Sequence, residues 1–532
     1  MPSPHSRIQG LRGGAFTHLR DMLVSSYAAL SGMVRMVHIL RQCRLILDFN
    51  LDMSLPRLFV LFALPLEIFL VILLPLGEAP DEATQVARAA SVLQGQWIGH
   101  RMEVAHHVDQ MPITMAGVDI NLGYLTPFLS IPSLHKNPRE PVSREELQAL
   151  SHLQWYTGKV FVEASNTASY IPIFYLPSAL GLGIASVFGV GPVSTILVGR
   201  MANALCSLLI GYLALQFARR SRPALFALLA LPISLHLSAA VNQDGPLIAS
   251  AALASALFSR KGRGHYWSGV TVLSCVIAAK PPYLPLALAA LVPLDGTIWL
   301  LRRHGLGFLI VVAVGLGWAG TAAGLAVVPF WRPPYHPGPL WSGDPTILFR
   351  STDSASQLQV LLNRPSLLIS LPIETLVDRW HDLASSAVGV LGWLDLILPA
   401  WCYRLWYFAL AAAAGAALVA ARETSICVSK AYAAPQLGAS VVILCSGAMC
   451  VYGLILLQYL SWTNVGSTTV EGMQGRYLLP VLAMLISALP VVPLPTQIAQ
   501  VVRTLLSVPV ICAALIGLGV LPFVTVMWYY VG

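Results

Sequence analysis

Apolar stretches long enough to enter a bilayer alternate with short basic or turn-like knots along most of the chain. Those at 56–76, 193–217, 223–241, 245–258, 266–280, 283–301, 306–328, 402–420, 437–460, 477–495 and 504–529 predict about eleven helices, because a helix rises 1.5 Å per residue and a bilayer core is about 30 Å thick. The stretch 171–190 is as apolar as these. Placing it across the membrane would put Arg219–Arg222 on the wrong side, so its prolines at 172 and 177 predict an interfacial or re-entrant helix instead. Two polar segments, 78–192 and 329–401, are too long to be connectors and predict ordered loops with a function. The first contains helix-like pieces at 81–94 and 143–154. The second opens with a proline-rich coil at 330–345 and continues as an amphipathic helix at 365–384. No internal repeat is visible, which counts against a transporter built from inverted halves.

Composition sharpens this into a fold class. With 56% hydrophobic and 11% charged residues and a mean hydropathy of +0.70, against about 25% charged in a soluble domain, the chain reads as an all-α, polytopic membrane protein. The net charge of +8 would suit nucleic acid, but topology accounts for it better: cytoplasmic loops retain Lys and Arg, so no nucleic-acid partner is expected. Clusters at Arg219–Arg222, Arg260–Arg263 and Arg302–Arg303, with a looser pair at Arg422 and Lys430, all fit one face. Roughly 36 residues separate the successive tight clusters, room for two short spans and an outer turn, first Asn242–Gly245 and then Lys280–Tyr283. The expected layout is a basic cytoplasmic segment 1–55 and a membrane domain 56–532 that includes both outer loops. The amino terminus is then inside. Residues 33–46 are weakly amphipathic and would suit an acidic inner leaflet, although a start at Met53 would serve as well. Eight cysteines include no CxxC and none between 78 and 192, so no disulfide framework is expected. No cleavable signal peptide is evident.

Candidate chemistry gathers at the outer ends of these spans. Asp81 and Glu82 stand where the first apolar stretch gives way to the first loop. The plain alternative is a helix opening, Pro80 followed by two acids. Asp244 lies at an outer turn, where Asn-Gln-Asp-Gly is also good turn chemistry. Lys280 and Arg476 are cations on the face that should lack them, and Arg200 within the second span belongs with them. They suit lipid-phosphate recognition, or else snorkelling and pairing with an acid such as Glu471. Glu67, mid-span and too deep to share chemistry with Asp81, predicts a buried structural pair. His106, His107 and Asp109 are weak metal candidates. No phosphate loop, HExxH, GxSxG or DxD motif occurs.

Pro80-Asp81-Glu82 with Arg88-Ala89, Tyr170-Ile171-Pro172, Tyr175-Leu176-Pro177, Arg200 with Asn203, Asp244, Lys280-Pro281-Pro282-Tyr283, Gly389–Asp395 and Gln474-Gly475-Arg476-Tyr477 follow in order over nearly the whole membrane region. The set resembles a bacterial domain-of-unknown-function family of predicted polytopic membrane proteins that looks like part of the GT-C glycosyltransferase superfamily. The resemblance implies a bacterial inner membrane, juxtamembrane helices, an acidic motif in the first outer loop, and a sugar donor carried on polyprenyl phosphate. An acid of that loop serves there as base or orients the acceptor. Here the match falls on Asp81 and Glu82, with Asp244 as the second acidic motif. Gln85 stands where the family often has histidine. The expected function is sugar transfer from the lipid-phosphate donor to an envelope glycan or lipid acceptor at the outer face. Asp81, Glu82 and Asp244 are the candidate catalytic residues; Arg476, Lys280, Arg200, Gln474 and Tyr283 are the candidate substrate-binding residues. The cofactor is open: a divalent metal bridging Asp81 and the phosphate is compatible with the pattern, but no ligand motif requires one. A transporter or flippase for a lipid-linked sugar is the rival reading. It should need polar groups deep in several spans.

Overall fold

The computed structural model describes residues 51–105, 112–130, 141–292, 301–328, 353–421 and 430–531. The segment 1–50, the His106, His107 and Asp109 group, the coil 330–345 and Arg422 lie outside them.

α1 (Leu51–Leu73) is apolar along most of its length, with Glu67 buried within it, and is followed by a turn leading to α2 (Glu82–Leu93). A small antiparallel sheet then departs from the all-helical expectation for the first loop. β1 (His100–Ala105) and β3 (Lys159–Glu163) flank β2 (Pro112–Asn121), whose Gly117 faces both His100 and Glu163. Ala116, Val118 and Ile120 are buried at a period of two, the spacing at which strand residues share a face. Between β2 and β3, α3 (Arg144–Ser151) opens on a capping box between Ser143 and Glu146, within the helix-like piece expected there.

α4 (Leu176–Val187) is a helix of 12 residues, about 18 Å long and too short to cross the hydrocarbon. Its Leu180, Ile184 and Val187 are exposed, as suits an interfacial helix. It packs along α5 (Pro192–Phe217), the central helix, whose buried face includes Gly199, Asn203, Ser207 and Gly211 and so lets neighbouring backbones approach closely. The expected span 223–241 is instead two helices, α6 (Arg222–Leu229) and α7 (Pro232–Ser238), because Pro232 has no N–H to continue the first. α8 (Asp244–Phe258) and α9 (Arg263–Ala279) follow, and α8 is nearly all buried, packed on α5 and α9. Helices sealed inside the protein need not match the bilayer in length.

A 3-10 turn, Pro281–Ala287, opens the next hydrophobic stretch. Beyond it come α10 (Leu301–Leu325), α11 (Ser354–Asn363), α12 (Leu367–Gly389), α13 (Ala400–Leu418), α14 (Lys430–Ser461), α15 (Leu479–Ala488) and α16 (Thr496–Val526). α12 is the expected amphipathic helix, with Ile369, Ile373, Val377 and Trp380 exposed along one face. Among the described residues, 5 helices are long and apolar enough to cross a membrane, or 6 if α11 and α12, bent by 106° at their junction, count as one broken span. The expected eleven are therefore not matched one for one: Pro232 divides the stretch 223–241, α8 and α15 are short and largely buried, and 293–300 of the expected span 283–301 lie outside the described residues.

The bundle has two unlike ends. At one, arginines cap helix carbonyls: Arg260 Nε donates to Phe217 O at 2.6 Å, Arg220 Nη2 to Ser487 O at 2.8 Å, and Arg503 Nη1 to Val419 O at 3.1 Å. At the other, one length of α8 away, lie the acids of the first loop.

Candidate active site

Asp81 and Glu82 are adjacent in sequence and opposite in fate. Asp81 precedes α2 with φ of 59°, a left-handed conformation uncommon outside glycine but tolerated by aspartate. Its side chain makes no capping hydrogen bond, so a helix-opening role does not account for its carboxylate. A third of that side chain (34%) is exposed. Glu82 is fully buried and faces Arg200, also fully buried. Both Glu82 oxygens accept from the guanidinium, and Oε2 also accepts from Gly77 N at 2.9 Å. The remaining Arg200 donors go to Val71 O, Leu74 O and Pro75 O, at 3.2, 2.6 and 3.0 Å. Arg200, expected at the substrate, is instead spent on fastening the end of α1 to α2 and α5. Glu82 has the same structural task.

Asp244 opens α8. The turn bond here belongs to Asn242, whose Oδ1 accepts from Asp244 N at 2.7 Å, and this leaves the Asp244 carboxylate to bridge two cations. Asn242 is held by Asn203, whose amide donates to the carbonyls of Ala240 and Asn242 at 2.9 and 3.0 Å. Lys280 Nζ donates to Asp244 Oδ1 at 3.1 Å, and Arg476 Nε lies 3.4 Å from Asp244 Oδ2. Arg476 Nη2 reaches Asp81 Oδ2 at 3.8 Å, closing an alternating row Lys280–Asp244–Arg476–Asp81. Lys280 also sits 4.0 Å above the Tyr477 ring, a cation–π contact. Four charges from four distant stretches thus meet, three of them buried and Asp81 at the rim. Burial pushes the Asp81 carboxyl above its ordinary range, with Arg476 opposing and Asp244 adding to the rise.

Other expected residues play supporting parts. Tyr283 is buried and donates to Tyr477 O at 2.8 Å, which fixes the turn Gly475–Leu478 and so aims Arg476. Gly475 N donates to Ser386 Oγ of α12 at 2.8 Å, and any Cβ at Gly475 would collide with the α12 backbone. Among the described residues, Gln474 carries a buried Oε1 with no hydrogen-bond partner, and Arg476 Nη1 likewise lacks one, while its Nε has only the ion pair to Asp244. Gln85, at the position of the histidine of the resemblance, accepts from the buried Tyr175 hydroxyl. Glu67, expected to have a structural pair, buries Oε2 without a hydrogen-bond partner among the described residues. No group of three or more His, Cys, Asp or Glu side chains converges as a metal site among the described residues.

Two residues escaped the sequence reading as site members. The Asn166 side chain hydrogen-bonds Asp81, and Tyr170 stands close to Asp81 and Asp244 in electrostatic reach of both. Arg88 holds Tyr170 in place by donating to its carbonyl at 3.0 Å. Both are neutral loop residues, and only the Tyr-Ile-Pro motif beginning at Tyr170 hinted at this neighbourhood.

No curated protein and no solved structure matches the chain. A family model described as predicted membrane protein (DUF2142) matches residues 64–485, most of the chain. With its apolar helices and this match, the protein is a membrane protein and belongs to the DUF2142 family.

Proposed function

We propose that this protein transfers a sugar from a polyprenyl-phosphate carrier to a glycan or lipid acceptor at the loop-bearing face of the membrane. One observation carries the reading: a partly exposed carboxylate, Asp81, lies beside a buried guanidinium, Arg476, whose Nη1 has no hydrogen-bond partner among the described residues, at the head of an apolar bundle. The acceptor hydroxyl would give its proton to Asp81 as its oxygen forms a bond to the anomeric carbon, with inversion. The bond from that carbon to the phosphate oxygen breaks, and the lipid phosphate leaves with the electron pair. General-base assistance of this kind is worth about 10²–10⁴ in rate. Arg476 offers the planar fork that suits phosphate, and Lys280 a point charge, where negative charge develops. Asp244 holds both cations in register, Asn166 orients Asp81, and Tyr283 orients the Arg476 turn. Glu82 and Arg200 brace the scaffold.

Sugar transfer from a panel of radiolabelled polyprenyl-phosphate sugars in proteoliposomes tests this. Transfer by the native protein that disappears in Asp81→Asn, with folding intact, supports it. Movement of the lipid across the bilayer without transfer, unchanged in Asp81→Asn, would sink it in favour of the flippase reading, for which the buried Glu67 of α1 is the supporting observation.

A further inference from the structure

A second acidic cluster lies apart from the row of charges and takes no part in the proposed chemistry. Three segments meet there: the turn after α1 with Glu78, the tip of a hairpin formed by β4 (Val390–Leu391) and β5 (Leu396–Ile397) with Asp395, and the carboxyl-terminal turn Met527–Val531 with Tyr529. Glu78 is 1% and Asp395 8% exposed. Among the described residues, Glu78 Oε1, the Tyr529 hydroxyl and both Asp395 oxygens are buried outside ordinary hydrogen-bond geometry, with the backbone N–H groups of Trp393, Asp395 and Leu396 turned toward Asp395. The Tyr529 hydroxyl faces the Glu78 carboxyl, and Trp528 faces Asp395. A Cβ at Gly392 would collide with both Asp395 Oδ1 and the Tyr529 hydroxyl, so no more than a methyl-sized gap separates these two oxygens. Gly392 itself has φ of 60°, a left-handed angle that favours glycine. The segments are pinned around the cluster by Tyr530, which donates to Leu73 O at 3.0 Å, and by Val142 N, which donates to Tyr529 O at 2.7 Å.

The charge inventory of this cluster is one-sided. Around the two carboxyls stand Glu82 from α2, Arg200 from α5, and Tyr529 and Tyr530 from the chain's end. Arg200 is the only cation among them, and its guanidinium donors are already committed to Glu82 and to the end of α1. Two ionised carboxylates buried together without a cation of their own are strongly disfavoured, whereas one proton between them removes most of the penalty. We propose that Glu78, Tyr529 and Asp395 form a proton-sharing latch that holds the second loop and the carboxyl-terminal helix to the turn bearing Asp81, and that loss of its proton weakens that hold. Burial first, then Asp395 and Glu82, push Glu78 up to about 8, against the opposing Tyr529 and Arg200. The latch touches the candidate site from two sides. Glu78 lies three residues before Asp81, and the β4 strand continues directly from α12, whose Ser386 holds Gly475.

The sign follows from linkage. The unfolded chain ionises Glu78 near its ordinary value of 4.5, whereas the folded chain does so only near about 8. This stabilisation is therefore whole below the lower value, falls across the interval and levels off above the upper one. Each pH unit within the interval changes the unfolding equilibrium by up to about tenfold for one proton.

The test uses the full-length protein in nanodiscs, with chelator present. Its thermal unfolding is followed from about pH 5 to pH 10, and its infrared spectrum is titrated over the same range. We expect the wild-type Tm to decline with a final break near about 8, and a protonated-carboxyl band to vanish at that break. Glu78→Gln should flatten the decline, lack the band and exceed wild type in Tm at alkaline pH. Asp395→Asn should move the break downward, since Asp395 raises the Glu78 carboxyl. A wild type with no carboxyl band disappearing near that pH would overturn the latch even if neither variant folds. So would a Glu78→Gln protein that keeps the wild-type slope, or a wild-type slope abolished by added calcium, which would mean a cation-held pair.

Discussion

The Glu82–Arg200 pair and the Asp81–Arg476–Asp244–Lys280 row begin one residue apart and use the same chemistry to different ends. In the first, every guanidinium donor and both carboxylate oxygens are satisfied inside the protein. In the second, contacts are longer, Asp81 is partly exposed, and Arg476 Nη1 has no hydrogen-bond partner among the described residues. The left-handed turn at Asp81 is what separates them: it keeps one acid at the rim while the next enters the protein. A closed pair resists change, and an open row can exchange a partner for a ligand.

The largest effect should come from breaking the closed pair. Arg200→Ala leaves a buried carboxylate unmatched and should cost about 3–5 kcal/mol, seen as loss of folded protein on size-exclusion chromatography and a sharp fall in Tm. In the open row, Asp81→Asn should leave Tm nearly unchanged, because asparagine also tolerates a left-handed backbone, while transfer falls about 10²–10⁴-fold. If Glu82→Gln and Asp81→Asn lose stability alike, the contrast between the two regions is wrong. Arg476→Lys retains charge without the fork. Loss of about 1.5–3 kcal/mol of charge-assisted bonding should reduce transfer roughly tenfold to a hundredfold, measured as kcat/KM for the lipid donor. The smallest change is Tyr283→Phe, which removes one hydrogen bond to the Tyr477 carbonyl and should lower Tm by the equivalent of about 0.5–1.5 kcal/mol. On the proposed function, the acid limb of the pH–rate profile should lie above the ordinary carboxylate range, since the Asp81 carboxyl is raised and a general base works ionised.

Much of the row is legible in the sequence. Lys280 and Arg476 stood out because cations are scarce on that face, and Asp244 because an acid beside hydrocarbon is costly. What the residues did not reveal is the division of labour within Asp81-Glu82, which depends on one backbone angle and on a helix more than a hundred residues away. Asn166 and Tyr170 carry no charge, so neither broke any rule of composition. The three-stranded sheet was hidden by the shortness of its alternation, only Ala116, Val118 and Ile120 on the buried face of β2. The count of spans failed where Pro232 divides one stretch and where α6, α7 and α8 are enclosed by protein, because hydropathy reports a buried helix and a lipid-facing one alike.

The row of alternating charges has a consequence for the order of events. Two cations and two anions cancel, so the row by itself is electrically neutral, and a lipid phosphate joining it brings uncompensated negative charge. A proton on Asp81 would offset that charge and tighten the grip on the donor, yet the same proton would disable Asp81 as a base. On the proposed function, donor affinity and turnover therefore draw on one proton in opposite senses: acid favours loading, alkali favours reaction, and the best working pH is a compromise set by a single carboxyl group.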